Sequence, residues 1–304
     1  MNDPLATQRA ALHDGALVLD AADLGTLVTT GADRKAWLNG MVTCDVAPLR
    51  PGEGALGLAV AKTGKLLAEL VVVASEDALF VGLARERAAS IAAHLDRHLI
   101  MEDAAIVDAS ADHAWLALHG PRAGEGAAAA REAGATVALV DRTGRGGAVA
   151  VTTPLAHDAV LAAVRARLGD RCAIATPEGW EQLRIEEGLG RFGVDYGEDN
   201  YPQEASLERA HVSFSKGCYL GQEAVFMLEK RGHAKKRLVR LHVEGDGGLA
   251  VGAPIALADG SSVGEVTSHA RRPGGGVVAL GFVKWKHAVA GVDLAVDGRP
   301  ARVA

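Results

Sequence analysis

Residues 211–240 read HVSFSKGCYLGQEAVFMLEKRGHAKKRLVR, and the chain changes texture across them. Before this stretch, strand-length apolar runs alternate with amphipathic helical segments. After it, RLVRLHV, APIALA, SVGEVTSHA, VVALGFVKW and DLAVDG follow at short spacing with glycine turns between them. Short strands at regular intervals predict a small β-barrel or sandwich. Val277–Phe282, the most apolar of these runs, is its expected central strand.

The stretch also holds the best-placed cysteine of the chain. Cys218 follows Lys216 and Gly217, and Gly221 then opens the run QEAVFMLEK, which has helical character. Glycines on both sides suggest a turn that exposes the thiol. A cation such as Lys216, or a helix N-terminus, would stabilise its thiolate form. The alternative is a small packing residue in a tight loop. The other cysteines, Cys44 and Cys172, are too distant in sequence to form a CxxC pair, a zinc-type cluster or an iron–sulfur run with it. Any contact of Cys218 with a cluster is therefore expected to be transient.

Lys230, Arg231, Lys235, Lys236, Arg237 and Arg240, with His233 among them, form a dense basic run. It suits an anionic ligand or partner such as phosphate, polyglutamate or RNA. It suits equally a solvated face leading into a strand. The whole chain of 304 residues carries a formal net charge of −6, whereas general nucleic-acid binders are basic. No strong direct nucleic-acid binding is therefore expected. The N-terminus lacks an apolar h-region, and no run of about eighteen apolar residues marks a membrane span. Three widely spaced cysteines give no disulfide framework. A cytoplasmic protein without membrane contact is expected.

Before the boundary, residues 16–20, 24–30, 55–61, 66–74 and 78–83 read as strands, with a KTG hairpin turn at 62–64. Asp33 is placed to cap a helix through RKAWLNGMV. Helices are expected over 84–99, over 155–168 and from Pro177. Further strands are expected at 104–110, 114–120, 136–141 and 147–153, and Cys172 is expected to be buried. Strands returning to helices with hairpins between them give an α+β class. The end of the Pro177 helix and the polar stretch after it gather Arg184, Glu186, Glu187, Arg191, Asp195, Glu204 and Arg209. One carboxylate there has the chemistry to accept the donor pair of a pterin edge, with an arginine holding it. On the residues alone, surface ion pairs at a helix end are the favoured reading.

The combination RIEEGLGRFGVD, YPQEA, SFSKGCYLGQE and VGEVTS, with GADRKAWLNGMVTCDVAPLRPGEG and TGKLLAELVVV upstream, resembles the folate-binding YgfZ family. That family shares a superfamily with the T-protein of the glycine cleavage system, and the resemblance runs from about residue 15 to about 300. It implies a T-protein-like fold of three domains around a central cavity that holds tetrahydrofolate. Residues 1–235 would form two interleaved α+β lobes and residues 236–304 the barrel. It implies an accessory protein for assembly or repair of iron–sulfur clusters, with [4Fe–4S] enzymes, including tRNA-thiolating ones, as transient clients; separately from the resemblance, a monomer is expected. Glu186 then looks like the pterin carboxylate, with Arg184 and Asp195 beside it. Lys216, Gly217 and Cys218, completed by Gln222 and Glu223, look like the signature loop, with Cys218 as the redox or cluster contact. Glu69 stands where the T-protein has an aspartate. Met227 stands where cluster-type members often have an arginine. Two alternatives are an aminomethyl or other one-carbon transferase using Glu69, and a non-catalytic RNA- or protein-binding module.

Overall fold

The computed structural model describes residues 3–230 and 232–304. Arg231, counted in the basic run, lies outside the described residues. In chain order the helices are α1 (Pro4–Asp14), α2 (Arg34–Asn39), α3 (Ala88–Asp96), α4 (Ala123–Glu132), α5 (His157–Leu168), α6 (Pro177–Glu186), α7 (Glu208–His211) and α8 (Gln222–Lys230). The strands of the first part are β1 (Ala16–Asp20), β2 (Leu24–Thr30), β3 (Gly54–Val60), β4 (Leu66–Ala74), β5 (Leu79–Ala84), β6 (Ala105–Asp108), β7 (Ala114–His119), β8 (Thr136–Ala138), β9 (Gly147–Thr152) and β10 (Cys172–Ile174). Those of the second part are β11 (Lys236–Val243), β12 (Pro254–Ala256), β13 (Ser262–Arg271), β14 (Val277–Lys284), β15 (Asp293–Val296) and β16 (Arg299–Val303). The chain forms two compact units. One comprises the chain up to Val60, Leu67–Gly179 and Ala210–Leu220; the other comprises Ala61–Leu66, Trp180–Arg209 and Gly221–Ala304.

The first unit is built from two five-stranded sheets, ordered β10-β1-β7-β9-β8 and β3-β4-β5-β2-β6. Period-2 alternation gives each sheet two apolar faces. On β4, Ala68, Leu70 and Val72 pack with Trp37, Leu38, Ile91 and Leu95 of α2 and α3. Val71 and Val73 point the other way, against Trp115, Val149 and Val151 of the first sheet. The opposite face of that sheet, with Leu116 and Leu118, packs on α4 and α5. The layers are thus helix, sheet, sheet, helix. Trp115 locks the two sheets. Its indole Nε1 donates to Thr26 Oγ1 at 2.8 Å, and its ring lies against Gly82, where a Cβ would come within 2.9 Å of it. Each fully buried Leu or Val in these layers contributes about 1.5–3 kcal/mol.

Several expected elements shift for identifiable reasons. Asp33 makes no side-chain cap on α2; its carboxylate accepts from the Asp103 backbone N at 2.9 Å instead. The helix expected over 84–99 begins as a 3₁₀ turn at Arg85–Arg87 and is α-helical only over Ala88–Asp96. Cys172 is half-buried rather than buried, because β10 is an edge strand, paired in parallel with β1 through Ala16 and Cys172.

The second unit contains a closed barrel of order β11-β14-β13-β12-β15-β16, sealed by pairing of β11 with β16. The expected central strand, β14, lies between β11 and β13 and is buried from Val277 to Val283. Val277, Ala279 and Val283 point into the barrel with Leu241, Ile255, Val266 and Val296. The KTG turn belongs to this unit. Gly64 has φ +78°, and a Cβ there would meet Ala224 at 2.7 Å, so both the turn and its approach to α8 require glycine. No helix among the described residues is long and apolar enough to cross a membrane.

Candidate functional site

The loop from His211 to Leu220 is held in the first unit at its start, middle and end. Buried Thr43 donates through Oγ1 to the His211 carbonyl at 2.6 Å and accepts there from Leu58 N at 2.8 Å. Its own carbonyl receives Ser213 N at 2.9 Å. Leu220 N donates to Gly40 O at 3.0 Å. Between these ties, Lys216 Nζ donates to the carbonyls of Asn39, Val42 and Cys44 at 2.6, 2.8 and 2.5 Å. The helix α2 ends at Asn39, where free carbonyls and the helix dipole favour a cation. Burial brings the Lys216 ammonium down to about 8, while the charges of Cys44 and Asp45 work the other way.

Lys216, expected as an activator of Cys218, is therefore a staple between the signature loop and the end of α2. Its proton donors are spent on main-chain oxygens. Cys44 is buried, and a Cβ on Gly57 would meet its sulfur at 2.4 Å. Burial pushes that thiol up to about 11, so it is not the reactive cysteine. Cys218 is exposed. Beside it, Gly217 has no neighbour within 4 Å of where a Cβ would stand, so that side of the loop is open to an incoming group. Tyr219 is buried, its ring 5.3 Å from the Lys216 ammonium.

Glu69 lies on β4 and shares the face of Val71 and Val73, which looks into the layer between the sheets. Two residues that sequence reading passed over meet it there. Arg142 Nη2 donates to Glu69 Oε2 at 2.8 Å, and His211 Nε2 lies 3.9 Å from the same oxygen. His119, on the same face of β7 as Trp115, is buried; burial first, and then the charge of Arg142, push its imidazole down to about 4, with Asp141 opposing. Sequence carried a faint signal for two of these. His211 opens the quoted loop, and Arg142 sits in the DRTG turn after β8. Glu69 is thus a carboxylate already matched by an arginine.

In the second unit the residues expected around a pterin separate into two sets. Arg184, 2% exposed, donates through Nη1 to Asp195 Oδ2 at 2.8 Å and to Leu189 O at 2.9 Å, and through Nε to Glu181 at 2.8 Å. Asp195, also buried, accepts from Arg191 N at 2.9 Å and from Thr267 Oγ1 and Ser268 Oγ at 2.6 Å each. Thr267 and Ser268 sit where the register of β13 slips against β14. A bulge re-aims side chains, so two successive residues reach one carboxylate. Arg184 and Asp195 are thereby a closed network that fastens α6 and the glycine-rich segment to the barrel, in place of the ligand contacts expected of them.

Glu186 is the other set. It is half-exposed at the end of α6, with Oε1 accepting from Gln182 Nε2 at 2.7 Å and its carbonyl accepting from Arg240 Nη1 at 2.8 Å. Gln222 and exposed Glu223 begin α8 directly after Gly221, whose φ of +79° suits glycine. Among the described residues no group of three or more His, Cys, Asp or Glu is arranged to hold a metal ion.

Two sheets back to back between helices, followed by a closed barrel, define an α+β protein of the T-protein type. The GCVT N-terminal domain model matches residues 1–140. The chain is 30% identical over 322 residues to a probable aminomethyltransferase of Natronomonas pharaonis, covering 97% of this chain and 86% of that protein. It is 26% identical over 297 residues to the tRNA-modifying protein YgfZ of Sodalis glossinidius, covering 92% and 86%. Its fold matches the glycine cleavage system aminomethyltransferase T of Bartonella henselae with a TM-score of 0.82 at 20% identity, over 100% of this chain and 89% of that one. The chain belongs to the GCVT aminomethyltransferase family.

Proposed function

We propose that this chain is a tetrahydrofolate-binding accessory protein on the YgfZ side of the family, serving assembly or repair of iron–sulfur clusters in [4Fe–4S] enzymes, tRNA-thiolating enzymes among them. The observation that carries the reading is the exposed Cys218, on a loop tied down on both sides of it. A thiol presented in this way on a fixed support suits a brief contact with a client cluster or client cysteine. The cluster is cargo in this reading, so no resident metal site is needed. A monomeric, cytoplasmic protein and the three-domain arrangement around a folate cavity are parts of the same proposal.

The fit to folate rests on Glu186. A half-exposed carboxylate steadied by Gln182 is what a pterin amide edge requires of its acceptor. Bound tetrahydrofolate would supply one-carbon or reducing chemistry. The chain's part is to orient it through Glu186, with Gln222 and Glu223 at the start of α8 as further polar contacts. The test is complementation of cells lacking this protein, read as activity of a cluster-dependent tRNA-thiolating enzyme. Cys218→Ser is expected to lose function while keeping tetrahydrofolate affinity within about threefold; full rescue by Cys218→Ser overturns the cysteine's role.

Aminomethyl transfer is the second reading, favoured by the relatives that carry that name. It requires Glu69 to steer a developing cation near the folate nitrogens. The Arg142 guanidinium at 2.8 Å already compensates that charge, which weakens the carboxylate for the task. Production of methylene-tetrahydrofolate from an aminomethyl donor, abolished by Glu69→Gln, would favour this reading over the first.

A further inference from the structure

In the sequence, the basic run ends as β11 begins, and Lys284-Trp285-Lys286 lies far downstream. The barrel brings them together. Lys236 pairs directly with Lys284 across the β11–β14 ladder, and Trp285 N donates to Lys235 O at 3.0 Å. His233 stacks on Trp285 with ring centroids 5.4 Å apart and planes only 3° from parallel. Lys235, Lys284, Lys286 and His233 are all exposed, and Trp285 is half-exposed.

Part of the basic run is consumed within the unit. Arg237 binds Glu208 and donates to Ser206 Oγ at 3.0 Å, Arg240 holds the Glu186 carbonyl, and the Lys236 ammonium lies 4.0 Å over the Phe282 ring. What remains at this end of the barrel is exposed Lys235 and Lys286, with exposed Lys284 spending one of its three donors on Ser262 O, around a flat, exposed imidazole backed by an indole. Like charges set directly opposite one another across a ladder are unfavourable; within the barrel the Phe282 ring takes up the Lys236 ammonium and Ser262 O, at 3.2 Å, accepts from Lys284 Nζ, and neither lysine has a carboxylate partner among the described residues. An anion lying over the pair would relieve the repulsion.

Against the expectation drawn from the net charge of −6, we propose that this local patch at the end of the barrel binds single-stranded nucleic acid, with Lys235, Lys284 and Lys286 on backbone phosphates and the outer face of His233 stacking a base. Flat π-faces ringed by cations are how strands are held without sequence readout. An acidic peptide would satisfy the lysines but not the stacked pair. The proposal uses neither Cys218 nor any residue assigned to folate, so its success or failure is separable from that of the accessory-protein reading.

The test uses the full chain and fluorescence anisotropy with labelled oligouridine RNA and oligothymidine DNA of about twelve nucleotides. Binding to either is expected to weaken with salt at a log–log slope of about −2, as three phosphate contacts to a single strand require. Lys235→Glu with Lys286→Glu is expected to weaken it at least about tenfold through lost phosphate contacts. His233→Ala is expected to weaken it about fivefold or more through lost stacking. Both changes are on the surface, and an unchanged melting temperature confirms folding. Absence of binding at about 50 mM salt, binding indifferent to the double charge reversal, or equal displacement by a polyglutamate peptide overturns the proposal.

Discussion

Replacing Lys216 with methionine separates two roles for this residue. Methionine keeps most of the stem's length and removes the ammonium, leaving the carbonyls of Asn39, Val42 and Cys44 without the donor that now lies 2.5–2.8 Å from each. A hydrogen bond to a charged group contributes about 1.5–3 kcal/mol, so three would give roughly 4.5–9 kcal/mol in isolation. Two effects reduce that figure. The ammonium is partly desolvated, as its fall to about 8 reflects, and the site is only half-buried, so water can reach some of the orphaned oxygens. The expected net loss is about 2–3 kcal/mol, a fall of about 5–10 °C in melting temperature for a unit of this size. The second readout is the rate at which Cys218 reacts with a disulfide reagent at neutral pH. A loop released from its staple should expose the thiol further and raise the rate about twofold or more. If Lys216 instead served to hold Cys218 as thiolate, the rate would fall while stability stayed within about 0.5 kcal/mol of the parent. That second pattern would refute the staple.

Two further outcomes follow from buried groups. Asp195→Asn removes one of the two carboxylates on the buried Arg184 guanidinium and leaves Glu181 in place, so stability should drop by about 1.5–3 kcal/mol in calorimetry, with folate affinity of the folded protein little changed. A drop in affinity at unchanged stability would return Asp195 to the ligand. The second outcome concerns acid. Unfolded histidine takes its proton near 6.5, whereas buried His119 takes it near 4, so between those values the unfolded chain binds more protons than the folded one. Stability from this group is present above about 6.5 and is lost as pH falls toward 4, by about 3 kcal/mol in all. Urea titrations at several pH values should show that slope, and His119→Gln should flatten it.

Strands β1 to β9 of the first part were legible because their signal is local, whereas β10 was not read as a strand. Residues 16–20, 24–30 and 66–74 were bounded to the residue, since an apolar run between glycines or turn residues needs no knowledge of its partner. Helix α8 and the barrel strands β11 to β15 were legible for the same reason, whereas β16 was not read as a separate strand. Partnership was not. Nothing in DRCAIAT says that Cys172 will lie beside Ala16, and nothing in DLAVDG or its neighbours says that β16 will close on β11. Such pairings follow from how whole faces are buried, and a period-2 pattern fixes only which face is apolar.

The candidate site divides along the same line, and the division bears on function. Polar residues in a glycine-rich stretch look alike in sequence whether they await a ligand or each other. Arg184 and Asp195 turned inward because two hydroxyls 72 and 73 residues beyond Asp195 complete their network. Lys216 turned inward because three carbonyls more than 170 residues earlier in the chain receive it. Glu69 is matched by Arg142, 73 residues away. Burying a charge is costly unless partners compensate it, so each of these groups is accounted for by the fold that contains it. Cys218 is not: it is exposed, has no hydrogen-bond or ionic partner among the described residues, and stands beside a glycine with open space at its Cβ position. An exposed thiol without such a partner, on a loop the fold holds so firmly, is where a contact with another molecule is to be sought.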